Sequence, residues 1–162
     1  MQVYIPATLA MLQQLVADGS LSPINGTAFA LTPALRESYA EGDDDELAEV
    51  ALREAALASL RLLAADPLPP RRAVLAAEVD DVTYRPDLDD AVVRLAGPVA
   101  IDRVVAAYVD NAAAEQAVTA AIAVIDAADL GDEDADLIVG DAQDHDLAWY
   151  ATQELPFLLD LL

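Results

Sequence analysis

Short β-branched runs alternate with helix-periodic stretches along this chain, and Pro or Gly stands at most of the joints. Val3-Tyr4-Ile5 reads as a strand closed by Pro6. Thr8 then caps a helix that carries Leu9, Leu12 and Val16 on one face and stops at Gly19. Ser22 to Gly26 is a loop, Thr27 to Leu31 a second strand, and Thr32-Pro33 opens a short helix. Asp43, Asp44 and Asp45 stand where a helix N-terminus favours negative charge, and the helix that follows reaches Ala65. It is expected to bury Val50, Leu57 and Leu60, with Glu49 and Arg53 spaced as an i,i+4 pair. Asp66-Pro67-Leu68-Pro69-Pro70 breaks it.

The second half repeats the rhythm. Arg72 to Val79 is a strand, Asp80 to Asp90 a polar loop, and Ala91 to Leu95 another strand. A helical turn at Ile101 and a strand over Val104 to Val109 follow. Asn111 caps a helix bearing Val118, Ile122 and Ile125. Asp129 to Asp146 is a second acidic stretch, with a solvated loop expected at Gly131 to Asp136; Leu147 to Tyr150 reads as a last strand and Leu155 to Leu162 as an apolar helix. This order predicts an α/β (or α+β) fold: one domain over residues 1–162 with a mixed sheet. Residues 1–80 and 90–155 would be pseudo-repeats of a duplicated βαβαβ unit.

Composition narrows the function. The 162 residues hold 30 acidic side chains against 8 basic ones, all Arg, for a net charge of −22. Nucleic acids and anionic membranes are therefore not expected partners, because both are bound through Lys and Arg. A basic protein is the compatible one. The absence of Lys removes a Walker-type phosphate loop and Schiff-base chemistry. The absence of Cys removes thiol catalysis and thiolate metal sites, and fits a cytoplasmic location. The N-terminus has no basic region before its apolar run, so no signal peptide is expected. Apolar residues make up 56%, enough for a packed core, with Ala supplying much of it.

Candidate sites are few. Asp132, Asp134 and Asp136 have the alternate-carboxylate spacing that opens a calcium loop. Leu137 then stands where Gly should make the turn, and Gln143 where Glu should complete the ligand set. Calcium or magnesium is the only cofactor these residues suggest. His145, the single His, is flanked by Asp144 and Asp146 and is either a general acid–base or a locally bonded residue. Arg71-Arg72 follows a proline run and would clamp an anion or guard a strand edge. Trp149 is expected to anchor the core.

Asp146 to Tyr150 and Glu154-Leu155-Pro156 resemble the tail of Nudix hydrolases, and Leu52-Arg53-Glu54-Ala55 resembles the centre of their metal-binding helix. Leu57 and Ala58 occupy two positions where that family needs Glu, so its magnesium site is not carried over. Over nearly its full length the chain resembles a family of uncharacterised actinobacterial proteins. VYIPATLAML, TAFALTPALRE and DHDLAWYATQELPFLL carry that likeness. The resemblance implies a bacterial cytoplasmic protein and no particular activity.

Three functional expectations follow. The first is a non-enzymatic acidic domain that steers a basic protein partner, with the apolar C-terminal helix as contact or homodimer surface. The second is a divalent-metal-dependent hydrolase using Asp132, Asp134, Asp136 and His145. The third is a small-molecule module in a crevice at the strand ends, reached by Arg72 or Arg94.

Overall fold

The computed structural model describes residues 1–162. Its first strand, β1 (Gln2–Ala7), runs through Pro6 rather than stopping there. Pro6 has no N–H to donate, and the two neighbours of β1 reflect this. One pairing is confined to Tyr4↔Phe29, while the other runs the length of the strand. Helix α1 (Leu9–Asp18) begins at Thr8, whose hydroxyl accepts from the Met11 N–H, and ends at Gly19 with φ 77°. Leu9, Leu12 and Leu15 are its buried face, each three residues from the next. Strand β2 (Ser20–Leu21), strand β3 (Thr27–Phe29) and helix α2 (Pro33–Ser38) follow, α2 with the expected Thr32 cap.

Helix α3 (Asp44–Leu62) is capped by Asp43 and carries three acidic residues in its first turn. Its buried face is Leu47, Ala51, Ala55, Ala56, Ser59 and Leu60; Val50 and Leu57 are only half-buried. The Ala residues let the helix lie close on Val74, Ala76 and Ala106 of the sheet, which is where much of the chain's Ala is used. Ser59, wholly buried, donates to the Ala7 carbonyl at 2.7 Å and accepts from the Ala73 N–H at 3.0 Å.

Strand β4 (Ala73–Glu78) is central. Strand β5 (Val82–Tyr84) lies inside the segment expected to be a loop. Its exposed Thr83 and Tyr84 leave only half a strand's apolar pattern to read. Strands β6 (Val92–Leu95), β7 (Val99–Ala100) and β8 (Val104–Val109) follow. Helices α4 (Glu115–Asp129) and α5 (Glu133–Gln143) form a hairpin, then strand β9 (Ala148–Tyr150) and helix α6 (Leu155–Asp160) end the chain.

The seven-stranded sheet has the order β5-β6-β3-β1-β4-β8-β9, and β2 pairs with β7 separately. Every pairing is antiparallel, so the sheet is not mixed in its ladders. The step from β1 through α1 to β3 joins antiparallel neighbours, as does the step from β8 through α4 and α5 to β9. These replace the parallel βαβ steps of the expected duplicated unit. β3 and β4 run the same way on either side of β1, with α2 and α3 as the crossover. The α/β class and single domain stand. One sheet face packs on α1 and α6, the other on α3, and the α4–α5 hairpin packs beside the C-terminal part of α3.

Candidate functional site

Arg72 precedes β4 and Asp110 follows β8. The register Ala73↔Val109 therefore sets them side by side at one end of the sheet, and the Asp110 N–H donates to the Arg72 carbonyl at 3.0 Å. The Asp110 carboxylate accepts three bonds from Arg72: from the backbone N–H at 2.9 Å, from Nε at 2.8 Å and from Nη2 at 2.8 Å. Both side chains are buried, 3% and 0% exposed, so this pair has little water to screen it. Arg72 Nη2 also donates to the His145 carbonyl at 2.7 Å. That bond ties the connection from α5 to β9 across the end of the sheet. Nη1, the other amino group, makes no bond within the protein.

The tied connection and α3 enclose a cleft of about 380 Å³. Asp144 to Leu147 line one side, Glu49 and Arg53 of α3 the other, and Arg72 and Tyr108 complete it. Six of the eight arginines form ion pairs. Arg53 forms none, although Glu49 is one helical turn away and lines the same cleft. An unpaired guanidinium in a chain of net charge −22 is a free donor for an acceptor from outside.

Arg72 and His145, two of the residues singled out by sequence, thus meet here. The clamp reading of Arg72 changes, because three of its donor contacts go to a permanent internal partner and only Nη1 remains. Arg94 is elsewhere: its Nη1 donates to the Asn25 carbonyl at 2.8 Å, where Asn25 holds a left-handed φ of 58°.

The acidic stretch is not a loop. Asp132 is the N-cap of α5, accepting from the Ala135 N–H at 2.8 Å, and Asp134 and Asp136 stand in its first turn. Asp134 stands two residues from each of the others and faces away from them, and the Asp132 carboxylate is taken up as the cap. No group of three or more His, Asp or Glu is placed to hold a metal ion, at this helix or elsewhere. Trp149 is 57% exposed rather than a core anchor, because β9 is the last strand of the sheet and offers it no outer neighbour. Sequence reasoning missed Tyr108 and Asp110, which carry no local signal. It took Arg53 for half of a helical ion pair.

A family model described as a family of unknown function, DUF6912, matches residues 1–159. The chain belongs to this family. No curated protein and no solved structure matches it. Membership in DUF6912 agrees with the likeness to uncharacterised proteins and adds no residue roles. No helix of this DUF6912 member is long and apolar enough to cross a membrane.

Proposed function

We propose that this protein is a small-molecule-binding module whose cleft between α3 and the α5–β9 connection takes a polar ligand with an anionic group. The observation that carries the reading is the convergence of donors there. Arg53 is unpaired, Arg72 keeps Nη1 free, and His145 is half-buried beside them. A cleft of about 380 Å³, mostly polar in its lining with Leu52, Ala56 and Leu147 among the apolar residues, suits a small polar ligand. The Arg72–Asp110 pair acts as the fixed frame, since it sets where the His145 segment lies. The Cys-free composition is compatible with the cytoplasm, and that location is part of the proposal.

A thermal-shift screen of small acids, phosphates and amino acids tests it. A ligand that binds the folded state raises Tm by mass action. The reading predicts a concentration-dependent rise that Arg53→Gln removes. A rise that is unchanged in Arg53→Gln, or none with any anion-bearing molecule, overturns it.

A second reading keeps the protein as a contact domain for a basic partner or a second copy. It is favoured by Phe157 and Leu161 of the C-terminal segment, 72% and 85% exposed. Sedimentation at rising concentration tests the homodimer. A monomer throughout, with Phe157→Ser behaving identically, removes that form of the idea.

A further inference from the structure

The charges along the cleft are not of one sign. Glu49 stands one turn from Arg53 on α3, and neither is paired with the other or with any other group. Across from them, Asp144 and Asp146 flank His145, and neither carboxylate forms an ion pair. Each side therefore offers a donor group and at least one free carboxylate within one small volume.

We propose that the cleft is a zwitterion site: it takes a free amino acid, or a molecule of that size and charge pattern, with the carboxylate on Arg53 and Arg72 Nη1 and the ammonium on the Glu49 carboxylate, in the negative field that Asp144 and Asp146 add across the cleft. The proposal rests on the cleft being a binding site, as argued above, and adds the ligand class.

Three physical points select the zwitterion. A phosphate or other pure anion would approach three unpaired carboxylates through the field of a chain with net charge −22. A pure cation would be attracted to the whole acidic surface, with no preference for this cleft, and would make no use of Arg53 or Arg72 Nη1. A zwitterion has no net charge for the overall field to repel, and it satisfies both sets of groups at once. The volume, about 380 Å³, matches a ligand of amino-acid to dipeptide size, and Leu52 and Leu147 give its side chain an apolar contact.

The test uses the full chain and its only His. The His145 ring C–H signals are read by proton NMR while each of the twenty L-amino acids is added singly. Any that binds is compared with its desamino acid, its decarboxylated amine and inorganic phosphate. The expected result is a saturable shift with at least one amino acid. Each single-charge analogue should bind about 10- to 100-fold more weakly, as should the amino acid in Arg53→Gln and in Glu49→Gln. Both variants replace exposed side chains without partners, so folding is retained.

If a desamino acid or phosphate binds as tightly as the amino acid and depends on Arg53, the zwitterion proposal fails while the cleft reading survives. If no amino acid shifts His145, the zwitterion proposal fails as well. If nothing in the whole panel gives an Arg53-dependent shift, both fail.

Discussion

Replacing Asp110 by Asn removes one charge from a buried pair and leaves the side chain's shape unchanged. In the native protein the carboxylate accepts from the Arg72 N–H, Nε and Nη2, and its side chain is wholly buried. The amide has one acceptor oxygen and one NH₂ group. One of those nitrogen donors must then face an Arg72 donor, and the Arg72 charge stays in the interior without a counter-charge. Breaking such a pair from one side costs about 3–5 kcal/mol, mostly the penalty of the orphaned charge. For a chain of this length that is a fall in Tm of roughly 6–20 °C. Urea denaturation at neutral pH measures the loss directly, provided the slope with denaturant is unchanged.

The double variant Arg72→Met/Asp110→Leu should recover most of the stability, because it buries no charge. The two variants differ in what they do to the cleft: Asp110→Asn keeps the Arg72 donor to the His145 carbonyl, whereas the double variant removes it and should lose ligand binding while keeping most of its stability. A cost below about 1 kcal/mol for Asp110→Asn would refute the reasoning, since that is the size of an exposed surface pair.

Four further outcomes are expected. Ser59→Ala leaves the Ala73 N–H and the Ala7 carbonyl short of a partner where the sheet meets α3, and should cost about 1–3 kcal/mol in the same denaturation assay. Thr8→Ala removes the cap of α1 and should cost about 1 kcal/mol, with Thr8→Ser recovering most of it. Burial, with Asp89 adding to it, holds the Glu54 carboxyl above its ordinary range. The unfolded chain then releases that proton at a lower pH than the folded one, so stability is lost as pH rises through the folded value. Glu54→Gln should therefore be the more stable protein at neutral pH, with the difference vanishing below the ordinary glutamate range. Asp129 has the opposite sign. The hydrogen bonds from Arg61 hold its carboxyl below the usual range, so its contribution is present at neutral pH and is lost as pH falls through the folded value; Asp129→Asn should flatten the acid limb of a stability–pH curve.

Local chemistry made much of the fold legible. Thr8, Thr32, Asp43 and Asn111 each cap a helical segment in the structure, because a short polar side chain before a helix satisfies an otherwise free N–H. Strand β8 was readable because its β-branched run lies between turn signals. Helix α5 was legible too, but was overlooked: Asp132 caps it and Ala135, Val139 and Ala142 repeat at helical spacing, while the surrounding carboxylates suggested a loop. Strand β5 shows too few inward side chains to announce itself. Strand order and direction were out of reach, since the step from β1 to β3 reads the same whether its ends run parallel or antiparallel.

The site divides along the same line. Arg72 and His145 stood out as residue types, but the bond between the Arg72 side chain and the His145 carbonyl joins positions 73 residues apart. Arg53 carried no signal for this cleft: its ordinary i,i+4 neighbour Glu49 implied a pair, and the folded geometry shows the two unpaired.

The measurement that tests the central claim most directly is a two-dimensional NMR spectrum of the Arg Nε–H groups and the His145 ring, recorded with and without the best ligand from the screen. Arg53 and His145 should move together and saturate at one concentration, while Arg85, held by Asp87 on the exposed surface, stays still. Movement confined to exposed arginines, with His145 and Arg53 unchanged at saturation, would contradict a binding site in this cleft.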